Sequence, residues 1–343
     1  MASPPRGTER APGREHEVRV GISGWRYPSW RGVFYPEGLA QRRELEYASR
    51  QLRTVEINGP FYSLQRPSSY VEWYRATPDD FVFAVKGGRF ITHNKKLKDC
   101  AGALSNFFAS GVLALDDKLG PILWQLPPQL SFQAERIEAF LASLPRTTLA
   151  AAELASHHDA RLTHGSWLDV RVDRPVLHAL EVRHDSYIDP AFIRLLRRAN
   201  VALCVADTAG TWPYLEDVTA DFVYVRLHGA KRLYASGYSK SDLDRWATRI
   251  AAWQHGETPT STALAAPGTS PPSSTAGRDV YVYFDNDVKV HAPFDAMNLA
   301  ARFGHGQRVA FPRKQERETE RNVVSAAGRD DRWRYGQRRR RSA

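Results

Sequence analysis

Phe222-Val223-Tyr224-Val225-Arg226-Leu227-His228-Gly229 is a β-branched and aromatic run that ends in a cation, a histidine and a glycine. Alternate strand residues share a face, so Arg226 and His228 point one way and Leu227 the other. A helically spaced stretch over 241–253 follows. The same order of apolar run, polar terminus, loop and amphipathic helix recurs along the chain. Strands are expected at 18–25, 54–58, 81–86, 121–126, 177–182, 201–206, 222–227 and 280–284. Helices are expected at 42–51, 68–75, 104–110, 134–144, 190–199, 241–253 and 293–303. Only a short, poorly defined crossover follows the sixth strand, and 152–176 resists assignment.

Strands alternating with helices imply parallel βαβ units. Eight of them within 343 residues point to a single-domain α/β fold, a TIM-type (β/α)8 barrel. The rival is a doubly wound open sheet, but no Gly-rich phosphate fingerprint follows any strand. Gly21 and Gly24 lack the required spacing.

The strands end in Glu56, Lys86, Gln125, Glu181, Asp207, His228 and Asp287. In a parallel barrel such termini converge on the mouth. Face parity adds partners: Glu56 with Asn58, Glu181 with Arg183, Arg226 with His228, and Asp285 with Asp287. Paired members lie roughly 6.6 Å apart along a strand. A single charged terminus is commonly solvated or ion-paired, as Glu56 with Arg226 would be. Uncompensated charges inside a barrel are expensive, so the whole set favours a ligand site. Rim aromatics, with Trp25 and Tyr62 after the first two strands and Tyr234 and Tyr238 after the seventh, suit a flat or sugar-like ligand bearing an anionic group.

Metal ligation is the natural alternative, since His93, His184 and His228 accompany the carboxylates. No short His spacing supports it, and Lys86, Arg183 and Arg226 would repel a cation. No serine sits at a nucleophile elbow. The pattern names no cofactor and gives no oligomeric state.

The net charge of +10 resides mainly outside the expected barrel. Residues 313–343 carry eleven Lys/Arg and five Asp/Glu, a net +6, and residues 1–16 carry three Arg and two Glu, a net +1, leaving +3 for the body. The chain is therefore divided into a disordered N-terminal tail, 1–16, a barrel domain, 17–312, and a basic, disordered C-terminal tail, 313–343. A Thr-, Ser- and Pro-rich flexible insertion is expected at 256–278. The tails could bind nucleic acid through counterion release. No apolar stretch reaches the roughly 20 residues of a membrane span, and the two distant cysteines suit a reducing, cytoplasmic setting.

Seven motifs resemble the YecE-like family, the domain of unknown function numbered 72. They are Val20-Gly21-Ile22-Ser23-Gly24-Trp25, Val55-Glu56-Ile57-Asn58 with Phe61-Tyr62, and Phe83-Ala84-Val85-Lys86 with Ile91-Thr92-His93. The others are Leu123-Trp124-Gln125-Leu126-Pro127-Pro128, Glu181-Val182-Arg183-His184, Tyr224-Val225-Arg226-Leu227-His228-Gly229, and Tyr281-Val282-Tyr283-Phe284-Asp285-Asn286-Asp287. They lie in the family's order from residue 18 to about 303. The resemblance implies a TIM barrel and no settled reaction; likeness to metal-dependent endonuclease barrels is analogy at the level of fold. Tyr187 stands where the family usually has Trp, and Asp285 where it often has Asn.

Three functions follow as expectations. One is acid/base chemistry on a small anionic or sugar-like ligand. Glu56 and Glu181 would be acid and base, Asp207 and His228 would assist, and Trp25, Asn58, Tyr62, Lys86, His93, Gln125, Arg183, Arg226, Tyr234, Tyr238, Asn286 and Asp287 would bind. The others are a nucleic-acid-acting barrel and a non-catalytic ligand- or partner-binding module.

Overall fold

The computed structural model of the chain describes residues 16–261, 263–269 and 277–311. Its eight strands are β1 Val18–Ser23, β2 Thr54–Ile57, β3 Val82–Lys86, β4 Leu119–Gln125, β5 His178–Glu181, β6 Ala202–Asp207, β7 Phe222–Leu227 and β8 Asp279–Phe284. Each pairs in parallel with its neighbour in sequence, and β8 returns to β1, closing the barrel. The expected TIM-type barrel is therefore the observed fold.

The helices are α1 Glu44–Gln51, α2 Gly59–Tyr62, α3 Pro67–Ala76, α4 Ala101–Ala109, α5 Ala134–Ser143, α6 Thr148–Ser156, α7 Pro190–Arg198, α8 Lys240–Gln254 and α9 His291–Ala300. Local chemistry fixes their ends. The Asp189 carboxylate accepts the Ala191 N–H at 2.7 Å and Pro190 opens α7, whose Phe192, Ile193, Leu195 and Leu196 are buried. Ser239 and Asp242 form a capping box at the start of α8.

Alternation divides the barrel into two apolar zones. Outward Val20, Ile22, Val55, Val85, Val205, Val223, Val225 and Val282 are all buried, where β-branched side chains suit a surface covered by helices. Inward positions are mostly small on β3 to β6, with Ala84, Ala179, Ala202, Cys204 and Ala206, and aromatic on β7 and β8, with Phe222, Tyr224, Tyr281 and Tyr283. Large residues on one side fill the room left by small ones on the other. The interior is thus a packed plug, and a ligand can enter only above it, at the carboxyl ends of the strands.

The β6–β7 crossover, 208–221, holds no helix, as the lack of a helical pattern there leads one to expect, so the regular strand–helix alternation is interrupted. One expectation needs correction: the insertion is not wholly loose. The Asp217 carboxylate accepts the N–H groups of Ala265 at 2.7 Å and Ala266 at 3.1 Å, and both alanines are buried. Glu216 N donates to Ala263 O at 2.8 Å. A buried carboxylate with two amide donors fixes a sequence that composition alone reads as floppy. Residues 262 and 270–276 of the insertion, and the expected tails apart from His16, lie outside the described residues. Segment 152–176 contains the end of α6 and then irregular chain. Among the described residues, no helix is long and apolar enough to cross a membrane.

Candidate functional site

Arg226 lies at the centre of the barrel mouth. Its strand parity, shared with Phe222 and Tyr224, turns it inward, and its side chain is fully buried. Nη1 donates to Glu181 Oε2 at 2.8 Å. Nη2 donates to Glu56 Oε1 at 2.9 Å, Ser23 Oγ at 3.0 Å and Asp285 Oδ2 at 3.2 Å. One guanidinium therefore ties together β1, β2, β5, β7 and the residue just after β8. Its planar fork makes this possible; a lysine ammonium could not replace it.

The carboxylates are further satisfied. Glu56 accepts from Ser23 Oγ at 2.5 Å and from the Tyr224 hydroxyl at 2.7 Å. Register explains the first contact, because Ser23 stands directly beside Glu56. Glu181 accepts from Gln125 Nε2 at 2.9 and 3.0 Å and from Arg183 Nε at 2.8 Å. Gln125 and Glu181 are likewise register partners. Burial opposes ionisation of Glu181, yet Arg183 and Arg226 outweigh it and hold the carboxyl well below its ordinary range. Glu181 is thus a fixed anion and an acceptor, not a proton donor.

His228 continues the inward face of β7. Its Nδ1 is 3.0 Å from Asp285 Oδ2, and its Nε2 is 3.4 Å from Arg226 Nη1. A proton on Nδ1 satisfies both contacts. Burial and then Arg226 lower its pKa, so the ring is neutral near pH 7. Burial would raise Asp285, but Arg226 and His228 keep it ionised.

Lys86 ends β3 on the same inward face as Ala84. It is only 8% exposed, and its Nζ sits 4.3 Å from the centroid of the Phe61 ring. No hydrogen bond or ion pair among the described residues holds this ammonium. Burial first, then Arg226, pushes its pKa down from 10.5 to about 8. Gly87 follows because a Cβ there would lie 2.3 Å from the Trp124 ring, whose close packing sets the exit of β3. Phe61 also packs edge-on against His93, centroids 5.2 Å apart. Burial, then Arg183 and Lys86, lowers His93 to about 4. Asn58 donates from Nδ2 to Ser23 Oγ at 3.0 Å, while its buried Oδ1 accepts nothing.

The rim holds Arg183 stacked 3.7 Å over the Trp212 ring, with Nη2 reaching the Tyr234 hydroxyl at 3.4 Å. Tyr234 meets the His228 ring edge-on at 5.3 Å. Trp25 is buried against Trp73, and Tyr62 is 69% exposed beside Phe61.

The structure therefore gathers Glu56, Asn58, Lys86, His93, Gln125, Glu181, Arg183, Arg226, His228 and Tyr234. It sends others elsewhere. Asp207 follows inward Ala206 and so faces outward, where it accepts from the Tyr238 hydroxyl at 3.0 Å. It borders a separate cavity of about 270 Å³ with Tyr214, Arg245, Trp246 and Arg249. Tyr238 is spent on that bond and on the Gly229 N–H at 3.1 Å. Asn286, next to inward Asp285, turns out to Asp295 Oδ2 at 2.8 Å and Ser236 O at 3.0 Å. Asp287 lies in the turn after β8, its carbonyl accepting from Trp30 Nε1 at 3.4 Å and its carboxylate in electrostatic reach of Tyr27, as are Asp285 and Glu56.

Five members of the site are absent from the sequence-based set of binding and catalytic residues: Ser23, Phe61, Tyr224, Trp212 and Asp285. Parity pairs Asp285 with Asp287 without assigning it a role, and could also have found Ser23 and Tyr224. Trp212 sits in an irregular crossover and leaves no periodic signal. Among the described residues, no group of three or more His, Cys, Asp or Glu side chains is placed to hold a metal ion. Cys100 and Cys204 are buried free thiols.

Comparison with known proteins agrees with this architecture. A DUF72 family protein from Thermotoga maritima superposes with a TM-score of 0.63 at 24% identity, covering 84% of this chain and 100% of that one. A DUF72 family protein from Enterococcus faecalis gives 0.59 at 15% identity, covering 85% and 97%. At these identities the likeness shows the fold. UPF0759 protein YecE of Escherichia coli strain K12 is 29% identical over 131 residues, 37% of this chain and 44% of that protein. UPF0759 protein YunF of Bacillus subtilis strain 168 is 24% identical over 125 residues, 35% of this chain and 43% of that protein. The chain thus matches less than half the length of these curated relatives. The family model described as "Protein of unknown function DUF72" matches residues 19–320, and the chain belongs to that family.

Proposed function

We propose that the barrel mouth binds a small anionic or sugar-like molecule and moves protons on it. The observation that carries this reading is the division of charge in the cluster. Arg226 and Arg183 occupy the carboxylates, whereas Lys86 Nζ is left with only an aromatic face. A nearly buried ammonium without an acceptor costs stability, and a ligand oxygen would relieve that cost. The unpaired Asn58 Oδ1 offers an acceptor for a ligand hydroxyl. His228, neutral and oriented by Asp285, suits proton transfer near pH 7. Glu56 and Glu181 accept from Arg226 and hold it in place.

Thermal-shift screening against sugar phosphates, hydroxy acids and free sugars tests this. At a hundredfold excess over Kd, a true ligand adds about 2.7 kcal/mol and raises Tm by several degrees. The shift should be lost in Lys86→Met and weakened in Asn58→Leu. A shift of equal size in both variants would remove the mouth from the account.

A further inference from the structure

From the surroundings of Lys86 we infer that it is a nucleophilic amine, condensing with the carbonyl carbon of an aldehyde or ketone ligand to form an imine. This deepens the reading of the mouth as a ligand site and rests on it. Three features on separate elements support it. First, Nζ has no acceptor among the described residues, although Glu56, Glu181 and Asp285 all lie within its electrostatic reach. Each of those carboxylates is already engaged by Arg226, so none clamps the ammonium. An amine held in an ion pair must first break it to attack; this one need not. Second, the side chain is nearly buried and Nζ faces the Phe61 ring at 4.3 Å, a setting that favours the neutral amine. At a pKa of about 8 it supplies more than about a hundredfold more free amine near pH 7 than a lysine at 10.5. Third, neutral His93 packs on the same Phe61 ring that Nζ faces, and neutral His228 belongs to the same cluster at the mouth, so neither imidazole adds a charge against the amine.

The step balances without an external oxidant or reductant. The amine lone pair attacks the carbonyl carbon, a C–N bond forms as the C=O π bond breaks, and one proton passes from the nitrogen to the oxygen to give a neutral carbinolamine. That oxygen then leaves with a second proton as water, and the nitrogen lone pair completes the C=N bond of a protonated imine. Water is the only other product.

The test uses the full chain with pyruvate, glycolaldehyde or dihydroxyacetone phosphate and sodium cyanoborohydride, which reduces an imine to a stable secondary amine. Peptide mass spectrometry locates the adduct. The expected result at neutral pH is a yield at Lys86 roughly tenfold or more above that at exposed Lys96 and Lys98, an excess that shrinks as pH approaches about 10.5. Labelling of Lys86 no faster than of Lys96 and Lys98 with all three probes overturns the inference. Lys86→Arg separates it from the broader reading, because arginine keeps the cation but cannot form the imine. If a probe raises Tm equally in Lys86→Arg and in the native chain, and Lys86 gives no adduct, the imine fails and the anion site stands. If no probe raises Tm and no adduct forms, both fail.

Discussion

Arg226 and Lys86 are buried cations in one cluster with opposite energetic roles. Arg226 is compensated by three carboxylates, so removing it should expose the cost of what it neutralises. Arg226→Met should destabilise by roughly 3–5 kcal/mol in urea unfolding, since breaking a buried pair strands the partner charges. Adding Glu181→Gln should restore part of that loss; a double variant as unstable as the sum of the singles would show that the groups are not coupled. Lys86 lacks such compensation. Its pKa is lowered in the folded state from 10.5 to about 8. The unfolded chain therefore binds more protons between these values, so this group's contribution to stability rises with pH there and its cost is fully present below about 8. Lys86→Met should be more stable than the native chain by about 1–3 kcal/mol at pH 7. That advantage should fade between about pH 8 and 10.5. A constant difference across this range would contradict the assignment. At this scale, parity made Glu56, Glu181 and Arg226 legible, because their faces follow from the period of a strand. Asp207 and Asn286 were misplaced by a single residue each, which is enough to move a side chain from the mouth to the helical layer.

Among the elements, the β6–β7 crossover departs most from a regular barrel. Where a helix would lie, an irregular chain carries Asp217, whose carboxylate gathers two backbone N–H groups of the insertion. Asp217→Ala should cost about 1–3 kcal/mol by leaving those donors unpaired. It should also speed amide exchange at Ala265 and Ala266 more than in the barrel strands. Unchanged protection there would mean that packing alone holds the segment. Composition could not foresee this docking, since Thr, Ser, Ala and Pro bury little apolar surface and the fixing group lies some fifty residues upstream. The helices were more readable. The apolar spacing and cap of α7, and the capping box of α8, act locally and are visible in a single stretch of sequence. By contrast, α6 was missed, since it runs from 148 into the mixed segment that begins at 152.

For the whole barrel, one geometric fact organises the chemistry. Parallel closure brings eight strand ends to one mouth, while aromatic Phe222, Tyr224, Tyr281 and Tyr283 opposite small residues fill the interior below. The repeated strand–loop–helix order made closure readable, and the polar termini marked which end carries the site. Parity suggested the pairing of Glu56 with Arg226, but not that the same arginine would also neutralise Glu181 and Asp285 and leave one lysine free, because these contacts converge from strands up to 170 positions apart. The most direct measurement is a crystal structure of the chain grown with the compound that raises Tm most in the screen. The account predicts ligand density at the barrel mouth within hydrogen-bonding distance of Lys86 Nζ and Asn58 Oδ1, or continuous with Nζ where the ligand carries a carbonyl. Density confined to the outer cavity beside Asp207, with the mouth holding only solvent, would contradict it.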